Sequence, residues 1–267
     1  MTAFQKVIKY SAMAFAVFLI VSIISGISYG VGLVSFLFGN DTAEITEKFE
    51  YSSAANILYA DLGGAELVIK QGSTLAAEAD SKYISCRQDG NRILITEKSQ
   101  GPFGRSSKSR KVTVYIPENT VFDEAEINIG AGKLTADAIN AKELSLDIGA
   151  GETVINSLNV TDEAEIDGGA GSIRIESGNI NNLDADTGMG EFILRARLTG
   201  SSKIDHDIGE ADISLVGNES DYAVTLDKGI GEARIDGKSV SSGDYGNGAS
   251  SIDIDCGIGE INVNFVE

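Results

Sequence analysis

The sequence predicts an all-β protein: a single-stranded parallel β-helix with coils of about 19–20 residues, preceded by one N-terminal transmembrane α-helix. Three observations carry this. A Gly-x-Gly motif recurs from residue 130 to the end of the chain, apolar and polar residues alternate around each copy, and an uncharged apolar run opens the sequence.

The apolar run is the first element. No charged residue occurs from Tyr10 to Asn40, and about 20 apolar residues suffice to cross a bilayer as a helix. The expected span is 10–38, with residues 1–9 as a cytoplasmic N-terminus. Lys6 and Lys9 precede the run and Asp41, Glu44 and Glu47 follow it, so the positive-inside rule directs everything after residue 40 out of the cytoplasm. The run exceeds the 7 to 15 apolar residues typical of a cleaved signal, and Ser28-Tyr29-Gly30 is a poor cleavage site. The chain is expected in a cell membrane as a single-pass protein.

Residues 41–122 form the second zone, an N-terminal β region that starts the solenoid. Four period-2 runs read as strands, at 57–62, 66–70, 92–96 and 111–116. Asp89-Gly90-Asn91 marks a hairpin. Residues 100–111 make a turn-rich loop with the one dense basic cluster, Arg105, Lys108, Arg110 and Lys111. These cations are candidates for holding an anionic polymer or headgroup, against the simpler reading of a solvated loop.

Residues 123–267 form the repeat zone. Its copies are Gly130-Ala131-Gly132, Gly149-Ala150-Gly151, Gly169-Ala170-Gly171, Gly188-Met189-Gly190, Asp207-Ile208-Gly209, Gly229-Ile230-Gly231 and Gly257-Ile258-Gly259, at spacings of 19, 20, 19, 19, 22 and 28 residues. Gly63-Gly64 reads as a degenerate earlier copy. Three residues before each first glycine, or the Asp207 in its place, lie Ile127, Leu146, Ile166, Ala185, Ile204, Leu226 and Ile254, with a second small or apolar column two residues earlier and a polar column between them. After the glycines comes Ala136, Ile155, Ile175, Leu194, Ile213, Ile235 and Val263. Such units bury their apolar positions only by stacking, and the crossover rule makes the coil right-handed. A propeller blade needs about 40 residues and a leucine-rich repeat a Leu-x-x-Leu-x-Leu frame, so neither fits. The last two spacings mark insertions, and residues 238–248 read as a projecting loop around Tyr245, a further candidate contact residue. The final strand, 261–266, is expected to end the rod.

Charge and composition narrow the function. There are 31 Gly against 2 Pro, no Trp, and a net charge of -19. Strong acidity excludes nucleic acid as a partner and leaves cations and basic proteins. Cys86 and Cys256 lack metal or redox spacing and read as two buried thiols. A column of Asp147, Asp167, Asp186, Asp205, Asp227 and Asp255 lies two residues before the first glycine position. Calcium bound along this ladder is one reading. The other is turn capping, in which each carboxylate accepts the N–H two residues on. The glycine pairs lack the third glycine of a dinucleotide fingerprint and the spacing of a P-loop, and no cofactor is expected. His206 is the single histidine and sits in a column with Ile129, Ile148, Thr187, Lys228 and Cys256; nothing near it argues a triad. Parallel β-helices do host polysaccharide-cleaving enzymes that use paired carboxylates, the alternative reading, but here the carboxylates are periodic and no catalytic residues are assigned.

The step from Val112-Thr113-Val114-Tyr115-Ile116-Pro117 into Ala125-Glu126-Ile127-Asn128-Ile129-Gly130-Ala131-Gly132, followed by Leu-x-Asp-x-Gly-x-Gly units, resembles the bacterial β-strand-repeat domains named "putative adhesin", a family with a membrane-anchored member in an envelope-stress operon. The resemblance spans residues 50 to 267. It implies a β-helical, surface-exposed domain of bacterial envelopes with no established enzyme activity to carry over, and the expected partner is an envelope protein or a glycan.

Overall fold

A computed structural model describes residues 47–98 and 110–267. The expected membrane helix at 10–38 and two of the four loop cations, Arg105 and Lys108, lie outside the described residues. The chain runs through β1 (Glu47–Glu50), β2 (Ile57–Leu62), β3 (Glu66–Gly72), β4 (Ala76–Ala79), β5 (Ile84–Asp89), β6 (Arg92–Glu97) and β7 (Lys111–Pro117). Longer strands follow: β8 (Phe122–Ala136), β9 (Ile139–Ile155), β10 (Leu158–Ile175), the short β11 (Gly178–Asn181), β12 (Leu183–Thr199) and β13 (Ser201–Val216). The end of the chain comprises β14 (Tyr222–Ile235), β15 (Lys238–Ser239), β16 (Gly243–Gly246) and β17 (Ser250–Val266). All four strands expected before residue 122 are present, and β5 and β6 form the expected hairpin around Gly90, which takes φ 60°.

The solenoid is a ladder of parallel pairings. Its order in space is β6/β7, β2/β3, β8, β9, β10, β11/β12, β13, β17, β14. At about 4.8 Å per rung these nine coils stack to roughly 40 Å. Gly63-Gly64 belongs to a true rung, because the Ala131 N–H donates to the Gly63 carbonyl at 2.8 Å. No break falls near residue 122; β2 and β3 pair directly with β8.

The order corrects two expectations. The last strand does not end the rod: β17 lies between β13 and β14, and β14 is the terminal coil. The other end mirrors this, since β2/β3, first in sequence, lies inside β6/β7. Both outer coils are then covered by antiparallel strands, β5 and β4 at one end and β15 and β16 at the other. Exposed parallel edges invite unwanted pairing, and these short strands blunt them. The second correction follows, because residues 243–246 do not project; they fold back onto residues 223–226 of β14.

The core is the set of inward columns. One runs nine deep in register through Ile95, Ala60, Ile127, Leu146, Ile166, Ala185, Ile204, Ile254 and Leu226, every one buried. The column after the glycines, from Ala136 to Val263, is buried throughout as well. Each large aliphatic sealed this way contributes about 1.5–3 kcal/mol of transfer free energy, which explains why a unit too thin to bury its own face is stable in a stack. Tyr222 closes the C-terminal end: it is 1% exposed, its hydroxyl donates to the Val216 carbonyl at 2.6 Å, and its ring stacks on Phe265 with centroids 5.9 Å apart.

Candidate interaction surface

The Gly-x-Gly segments line up as one corner of the solenoid. The chain crosses this corner without leaving the sheet, so β8, β9, β10, β12, β13, β14 and β17 each run from one face to the next as a single strand. The turn that the capping reading of the aspartates requires is therefore absent from this corner. The physical reason is steric: a Cβ built on Gly149 would lie 2.5 Å from the Gly130 carbonyl oxygen, and on Gly171 1.9 Å from that of Gly151. Without side chains, successive corners approach closely enough to keep pairing.

This geometry also disposes of turn capping. The ladder skips only the first position of each motif and resumes at the next residue, and no carboxylate of the column takes up an N–H there. Among the described residues, the hydrogen bonds of the six aspartates reach Lys203 Nζ, from Asp205, and Ser242 Oγ, which donates to Asp227 at 2.9 Å; none accepts a backbone N–H. The column is instead a stack of carboxylates in register, Asp147, Asp167, Asp186, Asp205, Asp255 and Asp227 in spatial order. Among the described residues no group of three or more His, Cys, Asp or Glu side chains is placed to hold a metal ion.

On the other side of the corner runs a second acidic column, Glu152, Ser172, Glu191, Glu210, Glu260 and Glu232. Neighbouring cations neutralise part of it. Lys133 pairs with Glu152 at 3.0 Å, Arg174 with Glu191 at 3.5 Å, and Arg234 with both Glu260 and Glu232.

The electrostatic cost of stacking appears in the titration of the columns. Desolvation, then the neighbouring Asp147, Asp186 and Asp184, raise the carboxyl of Asp167 above its ordinary value. Asp255 is raised by desolvation and by Asp227, Asp205 and Asp253, with Lys203 opposing. Glu210 is raised by desolvation and by Asp212, Glu260 and Glu191. A carboxyl whose folded value lies above its unfolded one holds its proton more tightly when folded, so stability falls as pH rises through that window and returns below it. Asp255→Asn should therefore raise the midpoint of thermal unfolding at pH 7. The gain should shrink as the pH approaches the ordinary aspartate value of 3.8. Circular-dichroism melts of both proteins across that range check this; a gain independent of pH would mean that the charge is not its source.

Between the two acidic columns, the middle residues of the motif face outward: Ala131, Ala150, Ala170, Met189, Ile208, Ile258 and Ile230 in spatial order. Met189 is 42% exposed, Ile230 42% and Ile258 37%. Among the described residues the one other large hydrophobic so exposed is Val121. The corner thus carries an apolar ridge that widens from alanine to isoleucine towards the C-terminal end, flanked by carboxylates on both sides. This ridge is a candidate contact feature that the columns of the sequence did not single out. Its signal was the growth of the middle residue from Ala to Met and Ile.

The other candidates are held within the chain. Arg110 pairs with Glu97 at 2.6 Å, with both groups largely shielded from solvent, and Lys111 pairs with Glu66 at 3.2 Å. Tyr245 sits opposite Val224, packs against the core and donates its hydroxyl to the Ser241 carbonyl at 2.5 Å. Cys86 and Cys256 are free and buried, and burial pushes the Cys86 thiol up to about 11.

His206 points inside the corner, 2% exposed, with Nδ1 2.8 Å from Thr187 Oγ1, which also reaches the Asp205 carbonyl at 3.1 Å. The hydroxyl donates to that carbonyl, so the imidazole carries its proton on Nδ1. Burial lowers its proton affinity and keeps it neutral. Its Nε2 has no protein partner. An adjoining cavity of about 20 Å³, lined by His206, Thr187, Gly168 and Ile148, has room for about one water. That space is far too small for a sugar unit.

Comparison with known proteins agrees with this architecture. The chain matches the Toastrack DUF4097 family over residues 56–264. A "putative adhesin" from Bacteroides fragilis has a similar structure, with a TM-score of 0.53 at 13% identity over 84% of this chain and 98% of that one. A "putative adhesin" from Parabacteroides distasonis gives a TM-score of 0.48 at 17% identity over 85% and 98% of the two chains. A "putative cell adhesion protein" from Clostridium sporogenes gives 0.42 at 15% identity over 84% and 100%. No curated protein matches the chain. The all-β ladder with its glycine corner and the match across nearly all of the described residues lead to one conclusion: the chain belongs to the Toastrack DUF4097 family.

Proposed function

We propose that this chain is a non-catalytic interaction module of the bacterial cell envelope, held in the membrane by residues 10–38 and presenting its solenoid outside the cytoplasm for adhesion or scaffolding, in the service of the envelope-stress response. The observation that carries the reading is the ridge of exposed Met189, Ile258 and Ile230 with half-buried Ile208 on the corner, while the one histidine is sealed inside. Exposed apolar side chains rimmed by polar ones are the common mark of a contact surface. The Bacteroides fragilis structure is named "putative adhesin", which supports the same use for this fold. Membrane anchoring rests on the uncharged run and on the lysines before it and acids after it.

An alkaline phosphatase fused after Glu267 tests the topology. It should be active and should sediment with the membrane; an inactive fusion would place the solenoid in the cytoplasm. The full chain should release no reducing ends from envelope polysaccharide, and turnover abolished by substitutions in one cluster of aspartates would replace the interaction reading with an enzymatic one.

A further inference from the structure

The terminal coil leaves a gap in its own cover. On the outer side of β14, β16 pairs with residues 223–226 and β15 with Arg234 and Ile235. Ser242 Oγ accepts the Lys228 N–H at 3.1 Å and Val240 donates to the Ala233 carbonyl at 2.9 Å. Between these contacts, residues 229–232 have no strand on that side among the described residues, and Lys228 Nζ alone reaches the Gly231 carbonyl there, at 3.5 Å, while β17 occupies the other side. A strand paired along one edge alone still presents backbone donors and acceptors along the other. The gap falls on the corner, with Ile230 exposed at its centre.

The existing rungs specify what fits there. Going along the rod, each second glycine meets the carbonyl oxygen of the preceding rung: a Cβ on Gly209 would lie 1.8 Å from Gly190 O, on Gly259 1.8 Å from Gly209 O, and on Gly231 1.7 Å from Gly259 O. A strand added beyond β14 meets Gly231 O in the same way and needs glycine there. Its middle residue extends the ridge of Ile208, Ile258 and Ile230 and is apolar. Its flanking residues continue the acidic columns that end at Asp227 and Glu232. Among the described residues Asp227 has a serine hydroxyl and no ion pair, Glu232 shares the single Arg234 with Glu260, and the ammonium of Lys228 is turned to the Gly231 carbonyl. Negative charge there adds repulsion and positive charge relieves it.

We propose that residues 229–232 are a docking edge for one strand of a partner protein, a Gly-apolar-Gly segment flanked by lysine or arginine, which adds as a further rung. A second copy of this chain is a poor occupant, since its own rungs bring Asp and Glu into the same columns, and an anionic bilayer is repelled likewise. The proposal rests on reading the chain as an interaction module.

The probe is a fluorescein-labelled peptide, Ser-Lys-Thr-Gly-Ile-Gly-Lys-Ser, titrated with the full chain in detergent micelles and followed by anisotropy. It should bind at least about tenfold more tightly than the same peptide with Glu for both lysines, or with Ala for both glycines, and should weaken as salt rises from about 0.05 to 0.5 M. Ile230→Asp should remove about tenfold of the affinity, and Asp227→Asn a smaller part; thermal melts confirm that these exposed positions leave the fold intact. Equal binding of the Glu peptide, binding retained by Ile230→Asp, or no binding of any peptide would each overturn the proposal. So would self-association of the chain that Ile230→Asp abolishes, since a second copy would then be the occupant. A chain that fails these tests but exports an active phosphatase fusion loses the docking edge and keeps the envelope-module reading.

Discussion

Removing residues 250–267 should unfold much more than the last coil. In a solenoid whose final strand ends the rod, such a truncation strips one rung and exposes the next, and nearest-neighbour energetics limits the loss to one interface. Here β17 lies between β13 and β14. Its deletion takes away two interfaces and the buried Ile252, Ile254, Cys256, Ile261 and Val263 together. It also leaves β14, with β15 and β16 on its other side, unattached to the ladder. Phe265, against which Tyr222 stacks, is lost as well. For β14 to re-dock on β13, its columns would have to close up by one rung, and the linker of residues 217–221 loses its own anchor in the same deletion, the Gly217 N–H bond to the Val266 carbonyl. The expected result is proteolytic trimming back to the neighbourhood of residue 216, with a thermal transition well below that of the intact chain. Removal of the same length from a rod-end coil would leave the midpoint almost unchanged, and that outcome would show that β17 is peripheral.

The interior was legible and the ends were not, for the same physical reason. A ladder in which every rung offers identical columns makes each inward position readable from its neighbours, so Ile127, Leu146 and Ile166 identify one another as core. Identical columns also make the rungs interchangeable. Nothing in the pattern of β17 distinguishes a seat beyond β14 from a seat beneath it, since Ile254 packs under Leu226 in either order. The spacings of 22 and 28 residues announced insertions without saying that the longer one carries the chain back around the terminal coil. At the other end the corner motif is missing from β6/β7, where residues 98–110 stand between the two strands, so that rung could not be recognised by its glycines. The capping reading of the aspartates fails because it requires a turn. The corner is continuous sheet, and the carboxylates face solvent and one another. The ridge was present in the sequence as Met189, Ile208, Ile230 and Ile258, but a column of middle residues that is part alanine and part isoleucine does not say by itself which way it faces.

The corner glycines are where a single methyl group should do most damage. Gly190 has φ 139°, a conformation that side chains rarely adopt, and a Cβ there would lie 1.8 Å from the Gly171 carbonyl oxygen, 2.8 Å from its carbon and 3.2 Å from its nitrogen. Backbone cannot retreat as a flexible side chain can, and Gly171 is itself packed on Gly151 at the same distance scale. Relief requires the rungs on either side of residue 190 to separate, which breaks pairing through the corner and opens the columns of Ala185 and Leu194 to solvent. The strained dihedral alone costs about 1–3 kcal/mol, and the lost packing adds to it, so Gly190→Ala should destabilise by about 4 kcal/mol or more, among the largest single-residue effects. Gly90→Ala is the control. Gly90 also has positive φ, 60°, but a Cβ there meets nothing within 4 Å, and its substitution should cost about 1 kcal/mol from the dihedral alone. Urea unfolding of both variants separates the two contributions. Equal losses would mean that the glycines serve only the backbone angle, whereas a much larger loss for Gly190→Ala assigns the corner its steric role: glycine is required there because the neighbouring rung occupies the place of a side chain.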